Sequence, residues 1–124
     1  MAGEKLYNGQ MSSTETGRKA EAAAKAYLEM RRFEVVEQNF RRPRCEIDIV
    51  ATKDDVAYLI EVKYRRTDSQ GNGLEYITAT KLRQMRYAAE TWVDEYKWQR
   101  DYRLSAIEVA GKDFTIMHFI EDVI

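Results

Sequence analysis

The chain has 124 residues, which is enough for one compact domain and too few for two. Hydrophobic residues make up 44% and charged residues 33%, an ordinary globular balance, and no apolar run has transmembrane length. Because the sequence also lacks a charged and then apolar leader, we expect a cytoplasmic protein with no membrane partner. One cysteine and one histidine exclude an internal disulfide and a Cys/His zinc site, which leaves Cys45 as a small strand residue and His118 as a surface or late-strand residue.

The net charge of −1 does not indicate a nucleic-acid-binding protein, but the charges are unevenly distributed. Residues 17–87 hold fifteen Lys or Arg against eleven Asp or Glu, whereas residues 88–124 hold four against eight. A basic segment suits a partner that bears phosphates. An ordinary solvated surface is the other interpretation.

We expect a mobile N-terminal tail, residues 1–12, and then one domain, residues 13–124. Ser12 stands three positions before Glu15, the spacing of a capping box, and predicts the start of a first helix. Glu21 lies at the edge of the apolar face of that helix, where a carboxylate needs a partner. That partner is an arginine or a backbone amide on one interpretation, and a metal cluster or its water on the other.

Residues 33–40 have the composition of a strand, and a turn that holds Arg41, Arg42 and Arg44 follows them. Three arginines in four residues can bind phosphates. Charged turns are also commonly just solvated, and the sequence leaves both interpretations open.

Residues 45–53 and 56–64 alternate polar and apolar side chains and predict a hairpin whose turn is centred on Asp54-Asp55. In that register, Ile47 and Ile49 share one side of the sheet. Four charged residues share the other side: Asp48 lies opposite Glu61, and Glu46 lies opposite Lys63.

Asp48 and Glu61 are like charges with Cβ atoms roughly 5 Å apart, which destabilises a sheet unless a cation lies between them. Carboxylates are hard oxygen ligands of the kind that Mg²⁺ or Mn²⁺ binds. A protonated carboxyl or a bulge that shifts the register would also relieve the repulsion. We favour the metal, because Lys63 follows Glu61 on the same face, and Asp with Glu-x-Lys on the next strand is a nuclease-like arrangement.

The segment after the hairpin combines Arg65 and Arg66 with a polar, glycine-bearing stretch, residues 67–73, which predicts a mobile loop near the site. Residues 78–96 predict a second helix, which the hydroxyl of its first residue can cap. Lys81 falls in the first turn, where a bound phosphate would offset the unfavourable helix dipole. A tolerated surface lysine is the alternative.

Residues 102–109 and 114–120 predict two final strands, joined by a turn at residues 110–113. The order of elements is therefore helix, three strands, helix and two strands. Because connections through a helix favour parallel pairing, we expect strand 102–109 to lie parallel beside the strand that carries Glu61. The predicted fold class is α/β, an α+β sandwich-like arrangement with a mixed central sheet flanked by helices.

The αβββαβ order, with Asp48, Glu61-Val62-Lys63 and a glutamate in the first helix, resembles the PD-(D/E)XK nuclease superfamily. More narrowly, the chain resembles the small bacterial YraN-like family, which is related to archaeal Holliday-junction resolvases. The likeness covers roughly residues 17–95. The matching residues are Gly17, Glu21, Ala24, Tyr27-Leu28, Asn39, residues 46–50, residues 60–65, Gly73 and Lys81. Cys45 departs from the family pattern, which usually has glycine there, so the resemblance does not predict the local backbone shape.

The resemblance implies a restriction-endonuclease-like fold and metal-dependent hydrolysis of DNA phosphodiester bonds, in branched or in repair and recombination DNA. The implied ligands of Mg²⁺ or Mn²⁺ are Asp48, Glu61, the backbone carbonyl of Val62 and, through a water or a second ion, Glu21. Lys63 would orient the attacking water and stabilise developing charge. Glu46 would tune Lys63 or simply form an ion pair with it.

The basic residues expected to contact DNA are Arg41, Arg42, Arg44, Arg65, Arg66 and Lys81. The resemblance also implies a homodimer, because resolvase-like proteins often act as pairs. Two other classes fit the same residues. One is a non-catalytic DNA-binding or repair-accessory module, and the other is a protein-interaction domain with structural carboxylates. Metal affinity separates the first two classes from the third, and DNA cleavage separates the nuclease from the binding module.

Overall fold

The computed structural model describes residues 12–66 and 77–124, so the predicted tail (apart from Ser12) and the predicted loop at residues 67–73 lie outside the described residues. Two helices and five strands follow one another in the predicted order within the described ranges. They are α1 (Ser13–Met30), β1 (Glu34–Arg42), β2 (Cys45–Lys53), β3 (Val56–Arg65), α2 (Ala79–Tyr96), β4 (Tyr102–Ala110) and β5 (Thr115–Ile120). Neither of the two described helices combines the length and apolar character that crossing a membrane needs.

Both helices begin where the sequence predicts. The Ser12 hydroxyl accepts a hydrogen bond from the Glu15 N–H at 3.1 Å, and the Thr78 hydroxyl accepts one from the Lys81 N–H at 3.1 Å. The turn between β2 and β3 also lies at the predicted position. Asp54-Asp55 has φ values of 52° and 66°, and a two-residue type I′ turn requires positive φ at both positions.

The five strands form one mixed sheet in the order β1-β2-β3-β4-β5. Strands β1, β2 and β3 are an antiparallel meander, β4 is parallel to β3, and β5 is antiparallel to β4. The predicted parallel strand beside the Glu61 strand is therefore confirmed. β1 runs further than predicted, so Arg41 and Arg42 belong to the strand, and Pro43-Arg44 alone forms the turn.

Each face of the sheet is covered by one helix, and the two faces are named here the α1 side and the α2 side. The buried helix residues are Ala20, Ala24 and Leu28 on α1, and Met85, Ala88, Ala89 and Trp92 on α2. Alternate residues of β3 supply both sides, with Ile60 packed on the α1 side and Leu59 on the α2 side. The charged residues of β3, which are Glu61, Lys63 and Arg65, follow these core residues toward the C-terminal end of the strand.

β2 and β3 separate at that end of the sheet. Their ladder follows the predicted register but ends with the pair Ile49–Ile60; beyond it, β2 stays paired only with β1, and β3 stays paired only with β4. The strands diverge before either predicted charged pair forms, so neither Asp48 with Glu61 nor Glu46 with Lys63 is a ladder pair, and the prediction of direct opposition is wrong for both.

The separation coincides with an interruption of strand alternation. Asn39 in β1 has a left-handed φ of 55°, which asparagine tolerates better than most residues, and a bulge lies between Val35 and Glu37 of the same strand. In β2, which pairs with this part of β1, the two residues that flank Asp48 pack on opposite sides. Ile47 packs on the α2 side, whereas Ile49 packs on the α1 side. The prediction that the two isoleucines share a side is therefore wrong.

Candidate active site

Asp48 lies at the point where β2 and β3 separate. Its Oδ2 accepts a hydrogen bond from the backbone N–H of Val62 at 2.7 Å, so the carboxyl group bridges the two strands just beyond their last ladder pair. The charge of Glu61 raises the pKa of Asp48, which places the two carboxylates within electrostatic reach. The structure thus brings together the two acidic residues that the hairpin register predicts.

Burial raises the pKa of Asp48 to about 7. The Val62 N–H opposes this rise, and the negative charges of Glu61, Glu21 and Glu46 add to it. Near neutral pH, a carboxyl group with this pKa is about half protonated. The protonated form of Asp48, which the sequence leaves open as an alternative to a bound cation, is therefore substantially populated in the metal-free protein. A bound cation would favour the charged form.

Glu21 of α1 lies within electrostatic reach of Asp48, because its charge raises the pKa of Asp48. Burial raises the pKa of Glu21, whereas a hydrogen bond with the Asn39 side chain and the charge of Arg41 lower it, and Glu46 raises it slightly. The partner that a half-buried carboxylate requires is therefore the Asn39 amide, with an arginine nearby. The left-handed backbone of Asn39 and this hydrogen bond occur at the same level of the sheet as Asp48.

Glu61 is held on the α2 side by Lys81. Their Oε2 and Nζ atoms are 3.0 Å apart, and both side chains are half-buried. Lys81 comes from the first turn of α2, so the helix start brings its charge directly to the acidic pair. The sequence predicts that Lys81 lies in the first turn of the helix, but it does not predict the ion pair with Glu61.

A metal ion would have to use few protein ligands. Among residues 12–66 and 77–124, no three acidic, histidine or cysteine side chains converge closely enough to form a metal site. Mg²⁺ commonly binds one or two carboxylates and keeps several waters. Asp48 and Glu61 supply such oxygens, and a cation would relieve the repulsion at Asp48. The pair therefore fits a partly hydrated ion, and Glu61 would have to give up its contact with Lys81 to hold one. The Val62 carbonyl stays a prediction.

A cleft of about 420 Å³ opens beside the cluster, between the β1–β2 turn and the start of α2. Its charged lining residues are Arg41, Arg42, Arg44 and Lys81 on the basic side and Glu46 and Glu61 on the acidic side. The structure therefore collects four of the six predicted DNA-contacting residues around one opening. The sequence pattern indicates their charge but not this convergence.

The arginines of the cleft differ in how firmly they are held. Arg42 donates to both carboxylate oxygens of Glu95, from Nε at 2.8 Å and from Nη2, and its guanidinium carbon lies 4.2 Å from the ring centroid of Phe40. Arg41 makes a looser contact of 3.5 Å with Glu46, and both side chains are exposed. Arg44 is exposed in the turn. Arg42 is thus a structural tie, whereas Arg41 and Arg44 can reach a ligand.

The remaining predicted residues lie at the end of β3. Lys63 is exposed and, by strand alternation, lies on the same side as Glu61. Arg66 is exposed, and Arg65 forms an ion pair with Glu108, a buried residue of β4 that sequence reasoning missed. The available signal was an acidic residue inside the otherwise uncharged run 104–110, because a buried strand tolerates a carboxylate only with a partner.

Comparison with known protein families matches residues 20–109 to the family described as "Uncharacterised protein family UPF0102". The UPF0102 protein of Vibrio campbellii is 31% identical over 110 residues, which cover 85% of this chain and 90% of the relative. The UPF0102 protein of Renibacterium salmoninarum is 36% identical over 96 residues, covering 77% and 81%. That of Cytophaga hutchinsonii is 29% identical over 106 residues, covering 86% and 94%.

The fold and the site together define an α/β protein in which acidic residues lie beside a basic cleft, at the fork where β2 and β3 separate. The chain belongs to the UPF0102 family, the YraN-like group that its sequence resembles. The region matched to the family contains the fork, the cleft and all of β3.

Proposed function

We propose that the protein is a metal-dependent DNA endonuclease of the PD-(D/E)XK superfamily. The observation that carries this proposal is the meeting of Asp48 and Glu61 at the fork, with Lys63 two residues further along β3. The αβββαβ order and the mixed sheet agree with the fold expected for that superfamily. An acidic pair beside a basic cleft suits hydrolysis of a polyanion.

In the proposed reaction, Asp48 and Glu61 would hold the metal, and the Val62 carbonyl would be a third protein ligand. Bound Mg²⁺ or Mn²⁺ supplies Lewis acidity toward the phosphoryl group and acidifies the attacking water. Lys63 orients that water and donates to the phosphate oxygen where negative charge develops. Glu21, held by Asn39, positions a water of the cluster or a second ion.

The proposed path of the DNA backbone follows the cleft. Arg41, Arg44 and Lys81 would contact phosphates there, and Arg65 and Arg66 would do so at the end of β3. Specificity for branched or for repair and recombination DNA follows only from the family resemblance. By the same resemblance, we propose that the protein acts as a homodimer, which sedimentation equilibrium would test.

Arg44 and Arg42 form a matched pair for testing the cleft. We expect Arg44→Gln to weaken DNA binding and to reduce the slope of log affinity against log salt by about one, with the melting temperature unchanged. Arg42→Gln should chiefly lower the melting temperature, because it removes the contacts with Glu95 and Phe40. Equal losses of affinity in fluorescence anisotropy, with no change in melting temperature for either variant, would contradict this division.

Metal binding is tested by thermal unfolding. Mn²⁺ at about 100 times its Kd should stabilise the fold by about 2.7 kcal/mol, which raises the melting temperature of a chain of this size by roughly 10 °C. Asp48→Asn should remove most of that rise. Asp55→Asn is the control, because it removes an equal charge at the distant β2–β3 turn, where Asp55 pairs with Arg100. An unchanged melting temperature of the natural protein in millimolar Mn²⁺ would count against the metal site.

Catalysis is tested by incubating the protein with linear, flapped and four-way DNA in Mg²⁺ or Mn²⁺. We expect metal-dependent products from at least one DNA form and none from Asp48→Ala. Products that persist in Asp48→Ala would point to a contaminating nuclease.

A non-catalytic DNA-binding module is the second candidate. The ion pair of Glu61 with Lys81 favours it, because Lys81 already neutralises one carboxylate, and no third ligand side chain converges on the pair within the described part of the chain. Such a module would bind DNA in a salt-dependent manner, give no products with any DNA form, and melt at a temperature that does not depend on Mn²⁺.

A further inference from the structure

We propose that Glu108 is a positioning residue of this site, which holds Arg65 beside Lys63 as a contact for the phosphodiester backbone of DNA. The inference rests on the proposed function, because it takes DNA as the ligand. It assigns a role to a buried carboxylate that the proposed metal chemistry does not use.

Glu108 is only 2% exposed, and Ser105 is the other buried polar residue in the described part of the chain. A buried carboxylate is costly unless it is paired. Two basic groups approach it from the neighbouring strands. Its Oε2 contacts the Nε of Arg65 on β3, and its Oε1 lies 3.6 Å from the Nε2 of His118 on β5.

The strand register places Glu108 in the row of proposed catalytic residues. Glu108 is the ladder partner of Lys63 in the parallel pairing of β3 and β4, so the two side chains share a face. That face is the α2 side, where Leu104 of β4 packs and where Glu61 meets its lysine partner. Arg65 continues the row Glu61, Lys63, Arg65, with a step of roughly 6.6 Å along the strand.

The contact with Glu108 prepares Arg65 for a phosphate. The Arg65 side chain is 19% exposed, so most of it is buried and part of it still reaches the surface. The contact with Glu108 holds the guanidinium of Arg65 at this place on the strand, and the N–H donors of a guanidinium form a rigid fork that suits phosphate. If the position needed only to be filled, an apolar residue would serve, since replacing a buried ion pair by apolar groups is often neutral or stabilising.

The test is the affinity of purified variants for fluorescent DNA in EDTA, where binding is measured without cleavage. Glu108→Gln keeps the shape of the side chain and makes the net charge more positive, which by itself favours DNA binding. We expect the affinity to fall instead, by roughly fivefold to tenfold at about 0.1 M salt, the value of one phosphate contact. Arg65→Gln should cause the same loss, and the double variant should bind no more weakly than Arg65→Gln alone.

Two variants control for charge and for local packing. Asp55→Asn changes the net charge equally at the distant turn, where Asp55 pairs with Arg100. His118→Gln removes the other contact of Glu108 and keeps the Arg65 pair. Both should bind DNA as the natural protein does. Melting curves check folding, and if Glu108→Gln does not fold, Glu108→Asp, which keeps the charge but shortens its reach, takes its place.

Unchanged DNA affinity in the folded Glu108 variant would overturn the inference and leave Glu108 as a structural tie between β3, β4 and β5. An equal loss in His118→Gln would overturn it as well, because the effect would then not pass through Arg65. If the natural protein binds DNA but cuts none, the nuclease proposal fails, while these binding measurements still decide the role of Glu108. A natural protein that binds no DNA overturns both.

Discussion

Lys63→Ala is expected to lower metal-dependent DNA cleavage by roughly 10²–10³-fold, the usual effect of removing one group that stabilises developing charge. DNA affinity should change little, because Lys63 is proposed to act on charge that develops only in the transition state, and such an interaction does not contribute to ground-state binding. Lys63 lies on β3 in register with β4, so a paired strand fixes its backbone two residues from Glu61. Single-turnover rates and binding isotherms on the same DNA separate the two effects.

The neighbouring Tyr64 provides the control. Its hydroxyl donates to the Gly111 carbonyl at 2.9 Å and its ring stacks on Phe114 with centroids 5.1 Å apart, so it serves the α1 side of the sheet. Tyr64→Phe should lower stability and leave cleavage by the folded protein unchanged. If the natural protein cuts no DNA and Lys63→Ala loses as much affinity as Arg44→Gln does, the DNA-binding module replaces the nuclease.

The metal-free protein is expected to lose stability as pH rises from about 4 to about 7. Burial raises the pKa of Asp48 from its ordinary value near 3.8 to about 7, so in this window the folded chain binds a proton more tightly than the unfolded chain. The contribution is fully present below pH 4 and is lost as pH passes through 7. Its total is at most about 4 kcal/mol, since each tenfold change in acidity is worth about 1.4 kcal/mol.

Urea unfolding in EDTA at several pH values between 4 and 8 measures this effect. Asp48→Asn should be more stable than the natural protein at pH 8 and should show a much flatter pH dependence. A residual slope of the same sign is expected from Glu21, because burial also raises its pKa. Asp55→Asn should keep the full slope. Parallel curves for Asp48→Asn and the natural protein would show that Asp48 is not the group responsible.

Features that depend on residues close in sequence could be predicted. The caps at Ser12 and Thr78 and the turn at Asp54-Asp55 each follow from local side-chain chemistry. The parallel pairing of β4 follows from a general rule of connections. Because the hairpin turn fixes the register, the closeness of Asp48 and Glu61 could be predicted as well.

Features that depend on how distant elements meet could not be predicted in this way. The pairing of Glu61 with Lys81 requires the position of the start of α2 over the sheet, which no periodicity encodes. The separation of β2 and β3 accompanies a left-handed Asn39, and a strand pattern assumes regular backbone. The buried contacts of Glu108 could not be predicted, because its partners Arg65 and His118 lie on two other strands.

Among the strands that the structure describes, β1 lies at an edge of the sheet, and its irregular backbone has a consequence for solubility. A regular edge strand presents a row of unpaired N–H and C=O groups on which a strand of another molecule can add, which is a common route to aggregation. The bulge between Val35 and Glu37 and the left-handed Asn39 interrupt that row twice within nine residues. The backbone that accompanies the opening at Asp48 therefore also protects the edge, because it disfavours the addition of another strand along β1.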